Sequence, residues 1–380
     1  MQLTANFGSS SFSWQANDSL PGSLELSENP HCSFRQFLKI LSGQQFDLTP
    51  PKYAKLSEAF VSASQVVPLL MPKQSLKFSL QRAESLLQDA LLLDGAGDYL
   101  QEWSKAFDFL QSMKRAKIDR KALERLMQER DAETSRTLRS FLPDDSGFAK
   151  RTTYNVADSL TGRAKVASGP LVLTAHHDVR NCVRSAYEGG QVLSVDFRSV
   201  EPRIALIVAG RSAPDDVYSD LLEEFPNLDR SAAKLATLVA LYGGQVNRLS
   251  EVTGDPGSAR KAVAFVRSHF RVDDLERKLT AQAETGAVRN VLGRPLREAA
   301  KNPRIRTNHF LQSSAAELAP LLFSELCQKF PNGVRQLFVI HDALIVDVHP
   351  DSVENFTAEA ESISWRGNRM PVKVERLHPI

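Results

Sequence analysis

QVLSVDFRSVEPRIALIVAG, residues 191 to 210, is the stretch from which the fold is read. Its first part, QVLSVD, is a mostly apolar run closed by a carboxylate, the pattern of a buried strand ending at Asp196. Ser199 is placed to N-cap a helix over EPRIALIVA, where Pro202 is tolerated because first-turn amides have no helical partner. Gly210 is placed to end that helix. A related pattern stands near the C-terminus, where LFVI and LIVDV flank His341-Asp342-Ala343 and predict a β-hairpin with a carboxylate at its turn. An ionised carboxylate beside a sheet core is costly to bury unless it is paired or holds a metal. One such aspartate is usually a turn residue. Two of them, Asp196 and Asp342, on adjacent strands could hold two Mg²⁺ ions about 3.5–4 Å apart, the arrangement used for in-line phosphoryl transfer.

That chemistry needs a phosphate substrate, and cations to meet it. DRSAAKLATLVALYGG supplies Arg230 and Lys234 at i and i+4 near a helix start, with Leu238 and Tyr242 continuing the same face. Free amides and the helix dipole there add to the side-chain charge toward a polyphosphate. A second basic stretch, KRAKIDRK, residues 114 to 121, carries five basic residues against one acid. It reads as a solvated turn or, at the tip of a helical hairpin, as a grip on a phosphate backbone through Lys114, Arg115 and Lys117.

The whole chain bounds these readings. Its 380 residues suffice for two or three packed units, and 42% hydrophobic with 24% charged residues excludes disordered and collagen-like chains. The net charge is 47 − 45 = +2. No run reaches the roughly 18 apolar residues of a membrane helix, and the N-terminus lacks a basic patch before an apolar core, so a cytoplasmic protein with no membrane partner is expected. Cys32, Cys182 and Cys327 are too widely spaced for a ligand pair or a disulfide framework, and His176-His177 has no zinc-ligand spacing. Residues 1–75 read as a loop-rich cap of unknown role. Helical patterns follow from Tyr53, over Leu76–Leu93, through Trp103, Phe107, Leu110 and Met113, and from about Asp119 to Phe141. Strands and turns take over after Pro143, and residues 211–304 are again helical.

Five segments in order resemble the family A (DNA polymerase I-like) polymerases. VDFRSVEPRIAL resembles motif A, Asp-Tyr-Ser-x-x-Glu-x-Arg; DRSAAKLATLVALYGG resembles the fingers helix, Arg-x₃-Lys-x₇-Tyr-Gly; and VIHDALIVDV resembles motif C. RTTYNVADSLTGRA is similar to the segment ending in Thr-Gly-Arg that enters the palm, and RTNHFLQSSAAEL to Asn-x₃-Gln-x₂-Ala-Ala/Ser-Asp/Glu. The terminal MPVKVERLHPI resembles the family's last strand. The resemblance spans about residues 150 to 380. It implies an α+β right-hand fold with an antiparallel palm sheet and helical fingers and thumb. The thumb is expected at 76–150, the palm at 151–210 and 305–380, and the fingers at 211–304.

The resemblance also implies roles. Asp196 and Asp342 would be metal ligands, with the Phe197 carbonyl on the nucleotide-side ion; two Mg²⁺ are expected, with Mn²⁺ as the alternative. Arg230 and Lys234 would contact the triphosphate of a dNTP, and Lys234 would give a proton to the pyrophosphate. Glu201 would be a steric gate at the ribose 2′ position, with Tyr242 packed against it, while Leu238 and Tyr218 complete the nucleotide site. Arg163, Arg304, Gln312 and His341 would position primer-template DNA. Ala343 stands where a second motif C carboxylate is usual, Leu238 where Phe or Tyr is, Tyr218 where His is frequent, and Arg198 where Ser is. The implied enzyme is a compact phage- or plasmid-type DNA polymerase of a bacterial or phage-infected cell, with an unidentified replication partner. It would have no proofreading domain, since residues 1–78 hold only five acids, Asp18, Glu25, Glu28, Asp47 and Glu58. The alternatives are a single-subunit RNA polymerase, against which Glu201 argues, and a non-catalytic DNA-binding factor of polymerase fold.

Overall fold

Strand β1, Gln191–Phe197, is the second strand from one edge of a four-stranded antiparallel sheet that also holds β2, Val334–Ile340, β3, Ala343–Val348, and β4, Val372–Arg376, in the order β2-β3-β1-β4. The computed structural model to which this sheet belongs describes residues 2–6, 11–15, 96–156, 159–244, 246–285 and 288–377. The helices expected from Tyr53 and over Leu76–Leu93, and most of the 1–75 cap, lie outside the described residues. Within that cap Gln2–Asn6 pairs antiparallel with Ser11–Gln15 where a loop is expected.

Alternation along β1 sends its residues to two cores. Leu193, Val195 and Phe197, with Leu344, Val346 and Val348 of β3, join the larger core. Val192 and Ile345 join a smaller one with Phe338 and Ile340 of β2. The larger core is built on a run of helices: α1, Ala96–Gln111; after the two short helices α2, Arg120–Gln128, and α3, Ala132–Arg139, come α4, Val200–Val208; α5, Arg230–Tyr242; α6, Val246–Thr253; α7, Pro256–His269; α8, Val272–Glu284; α9, Pro303–Gln328; and α10, Val353–Glu361. The expected spacing is borne out: Trp103, Phe107 and Leu110 on α1, and Met113 just past its end, are buried, and the Trp103 and Phe107 rings stack at 4.9 Å. Burial of each such side chain stabilises the packing of α1 on α9 by roughly 1.5–3 kcal/mol. Phe323 of α9 stacks on Phe197 at 4.8 Å and fixes the sheet on that helix. Between α5 and α7, Ala232, Ala233, Ala236, Ala259 and Ala262 are buried, so these helices approach closely. No helix among the described residues is long and apolar enough to cross a membrane.

Two expected features differ. The helix expected from Asp119 to Phe141 is broken into α2 and α3, because Asp131 turns its carboxylate onto the Glu133 and Thr134 amides at 3.0 and 2.9 Å and starts a new helix. The basic stretch 114–121 is not a helical hairpin tip. Lys117–Ile118 is a strand paired with Val183–Arg184, and Ala116 and Ile118 are buried in the smaller core. The Lys114 amide donates to the Gln336 carbonyl at 2.7 Å, so the stretch is laced to the four-stranded sheet.

Candidate active site

The register of the sheet brings the two aspartates together. Ala343 is the partner of Asp196, and the Phe197 amide donates to the Asp342 carbonyl at 3.2 Å, so Asp196 at the end of β1 adjoins the β2–β3 turn. His341, the first residue of that turn, has φ +57°, an αL backbone that His adopts more readily than most residues. Asp196 opens to solvent, but protein crowds its other sides, and this together with the Asp342 charge pushes its pKa up to about 6; Arg180 and Lys373 partly oppose that rise. Two like charges with incomplete compensation are the donor set that a divalent cation neutralises.

Glu201, in the first turn of α4, is held on both oxygens. Arg163 donates to Oε1 at 2.9 Å and the Tyr242 hydroxyl donates to Oε2. Burial raises the Glu201 pKa, Arg163 opposes this, and Asp342 adds to it, so this carboxylate lies within electrostatic range of Asp342. Ser199 is not the expected N-cap. Its backbone is left-handed at φ 55°, its side chain caps no amide, and its hydroxyl donates instead to the Tyr218 hydroxyl at 3.0 Å. Gly210 ends α4 as expected: at φ +73° its amide reaches the Ile207 carbonyl, and the next amide, of Arg211, reaches Leu206.

Helix α5 is pinned at both ends. Tyr242 meets Glu201 at one end; at the other, Arg230 pairs with Asp216 and lies over the Tyr218 ring at 5.1 Å. Lys234, one turn further along, is exposed and has no partner among the described residues. Leu238 is half-buried on the same helix. Arg304 and Gln312 lie on α9 with Asn308 between them at four-residue spacing; Arg304 is exposed, and the Asn308 Oδ1 is buried without a partner among the described residues. His341 is exposed. Lys114 and Lys117 are exposed on the laced stretch described above. Arg115 spends its guanidinium on the Ala149 and Phe148 carbonyls and on Asp144, whose pKa falls to about 2 through Ser146 and Arg115.

Sequence reasoning missed several residues. Arg203, the Arg of Glu-x-Arg in VEPR, is 1% exposed and donates to the carbonyls of Arg198, Pro214 and Asp215 at 2.9, 2.7 and 2.5 Å, tying the loop that carries Asp216 to the end of β1. Arg294 donates to Glu317 at 2.8 Å with both side chains 5% exposed; Tyr99 and Asn290 also donate to Glu317. A Cβ at Gly162, where φ is +74°, would stand 2.7 Å from the Arg294 Nη1, so this glycine lets the turn before Arg163 close on the buried pair. Its place in Thr-Gly-Arg was the only sequence signal. His176, His177 and Asp178 bring three ligand-type atoms within 4.8 Å, but Arg130 already donates to Asp178 at 2.5 Å, leaving an ion-paired turn.

No protein-family model and no curated protein matches this sequence. Solved structures do match. One is the POL domain of Pol1 from M. smegmatis in complex with DNA primer-template and dNTP, with a TM-score of 0.60 at 16% identity over 90% of this chain and 81% of that one. At that identity the likeness shows the fold: an α+β polymerase fold with an antiparallel palm sheet.

Proposed function

We propose that this chain is a template-dependent DNA polymerase of the family A type, adding dNTPs to a primer 3′-hydroxyl. One observation carries the reading: the strand register sets Asp196 beside Asp342, two carboxylates far apart in sequence, at the sheet end where Glu201 joins α5 and its cations. Asp196, Asp342 and the Phe197 carbonyl would hold two Mg²⁺, with Mn²⁺ as the alternative. When bound, these ions activate the attacking hydroxyl and stabilise charge on the phosphoryl oxygens.

The chain's own residues do the rest. Arg230 exchanges the exposed Asp216 for the triphosphate, and Lys234 binds it too. As the primer 3′-hydroxyl releases its proton to water, its oxygen attacks the α-phosphorus and the bond to pyrophosphate breaks, the Lys234 ammonium gives its proton to the leaving oxygen. Glu201 fills the 2′ position, held there by Tyr242. Leu238 borders the nucleotide, whereas Tyr218, expected beside it, is buried and supports Arg230 from beneath. Arg163, Arg304, Gln312 and His341 position the primer-template, and Lys114 and Lys117 add exposed charge toward its backbone. Residues 1–78 carry too few acids for two-metal proofreading. We place the activity in the cytoplasm of a bacterial or phage-infected cell, with a further protein partner, in genome replication, repair or lesion bypass.

Primer extension with each dNTP and each rNTP tests the reading. Extension should require Mg²⁺ and vanish in Asp196→Ala and Asp342→Ala while DNA binding persists. Equal extension by wild type and Asp342→Ala rejects it.

A further inference from the structure

The row across the sheet at its catalytic end is Ala343, Asp196, Lys373, the outer two being the register partners of Asp196 on β3 and β4. Directly opposed residues of an antiparallel sheet share a face, with Cβ atoms about 4.5–5.5 Å apart. A lysine therefore adjoins Asp196 on the side away from Ala343. Among the described residues Lys373 meets only Glu375, at 2.6 Å, with both side chains more than half exposed. Such an exposed pair is weak and gives way easily to a stronger anion.

The surroundings say which anion. The start of β4 adjoins the loop that holds Arg230: Arg369 pairs with Asp215 at 3.2 Å, next to the Asp216 that pairs with Arg230, and the Arg198 amide donates to the Pro371 carbonyl at 2.9 Å. Arg203 locks Arg198, Pro214 and Asp215 into one unit. Lys373 thus stands on the flank of Asp196 that faces the Arg230 loop, whereas the β2–β3 turn with His341 is on the other flank. A cation beside carboxylates that collect metal ions weakens that collection unless an anion arrives with the metal. Resting on the polymerase reading above, we propose that Lys373 is a third triphosphate-binding cation, which with Arg230 and Lys234 holds the pyrophosphate portion of the incoming nucleotide.

The test compares Lys373→Met and Lys373→Arg with wild type. Lys373→Met should raise the KM for dNTP, and for pyrophosphate in the reverse reaction, about tenfold each, as removal of one charge-assisted hydrogen bond does. Lys373→Arg should restore most of it, and the Kd for primer-template should not change. Without divalent metal, inorganic tripolyphosphate should raise the wild-type melting temperature more than that of Lys373→Met. If wild type extends primers and Lys373→Met keeps both KM values, the lysine assignment alone is overturned. It is overturned equally if the variant instead weakens primer-template binding, or lowers the Mg²⁺ requirement with KM for dNTP unchanged. If wild type does not extend primers at all, the polymerase reading beneath it falls.

Discussion

Both oxygens of Glu201 are occupied, so removing this one side chain frees a volume and two donors together. Glu201→Ala should raise ribonucleotide incorporation relative to deoxynucleotide, by roughly ten- to a hundredfold if a 2′-hydroxyl left unpaired costs about 1–3 kcal/mol. Single-nucleotide incorporation with matched dNTP and rNTP measures this; loss of all activity with no gain in rNTP use would assign Glu201 a structural role. Asp196 makes a second prediction at this scale. Its pKa is raised from 3.8 to about 6, so between those values the folded chain binds a proton that the unfolded chain has released. Stability of metal-free protein therefore falls as pH rises through that window. In EDTA the thermal midpoint should drop from pH 4 to pH 6, and Asp196→Asn should flatten the drop. A wild-type midpoint independent of pH counts against the crowded-carboxylate picture.

Short elements behave differently from the residues they carry, and the stretch 114–118 shows how. Arg115→Ala removes bonds to two carbonyls and to Asp144, and should lower stability by about 1–3 kcal/mol in urea unfolding. Lys114→Ala with Lys117→Ala should leave stability within about 0.5 kcal/mol and flatten the salt dependence of DNA binding, by up to about 0.9 in log–log slope for each phosphate no longer neutralised. An unchanged slope would make these lysines a solvated edge. The pairing of Lys117–Ile118 with Val183–Arg184 could not be read from the sequence, because two-residue strands carry no periodicity and the partner is far along the chain. The β1 strand and the β2–β3 hairpin could, because their apolar runs end in carboxylates whose burial demands a reason. The left-handed Ser199 was hidden for another cause: serine before a helix is most often a cap, and only the nearby Tyr218 hydroxyl draws it away. Arg203 and Arg294 were hidden because arginine is normally exposed.

At the scale of the whole molecule, one buried ion pair joins parts that the sequence shows as separate. Arg294 follows the hairpin Asn290–Gly293 turn, Glu317 is on α9, Tyr99 is on α1, and the Arg294 guanidinium reaches the Val156 carbonyl and crowds Gly162 on the way to Arg163. Breaking such a pair leaves a charge buried without its partner, which typically costs about 3–5 kcal/mol, whereas replacing both members by apolar residues of similar volume is often close to neutral. Glu317→Leu alone should therefore lower the urea midpoint sharply, and Arg294→Met with Glu317→Leu should recover much of that stability. The double variant separates stability from function. It restores a packed interior but no longer presents a guanidinium beneath the Gly162 turn, so Arg163 should hold Glu201 less firmly and discrimination against rNTPs should fall while the fold persists. Recovery of stability with full discrimination would show that the pair serves packing alone; failure to recover either would show that Tyr99 and Asn290, left facing an apolar side chain, need the carboxylate themselves.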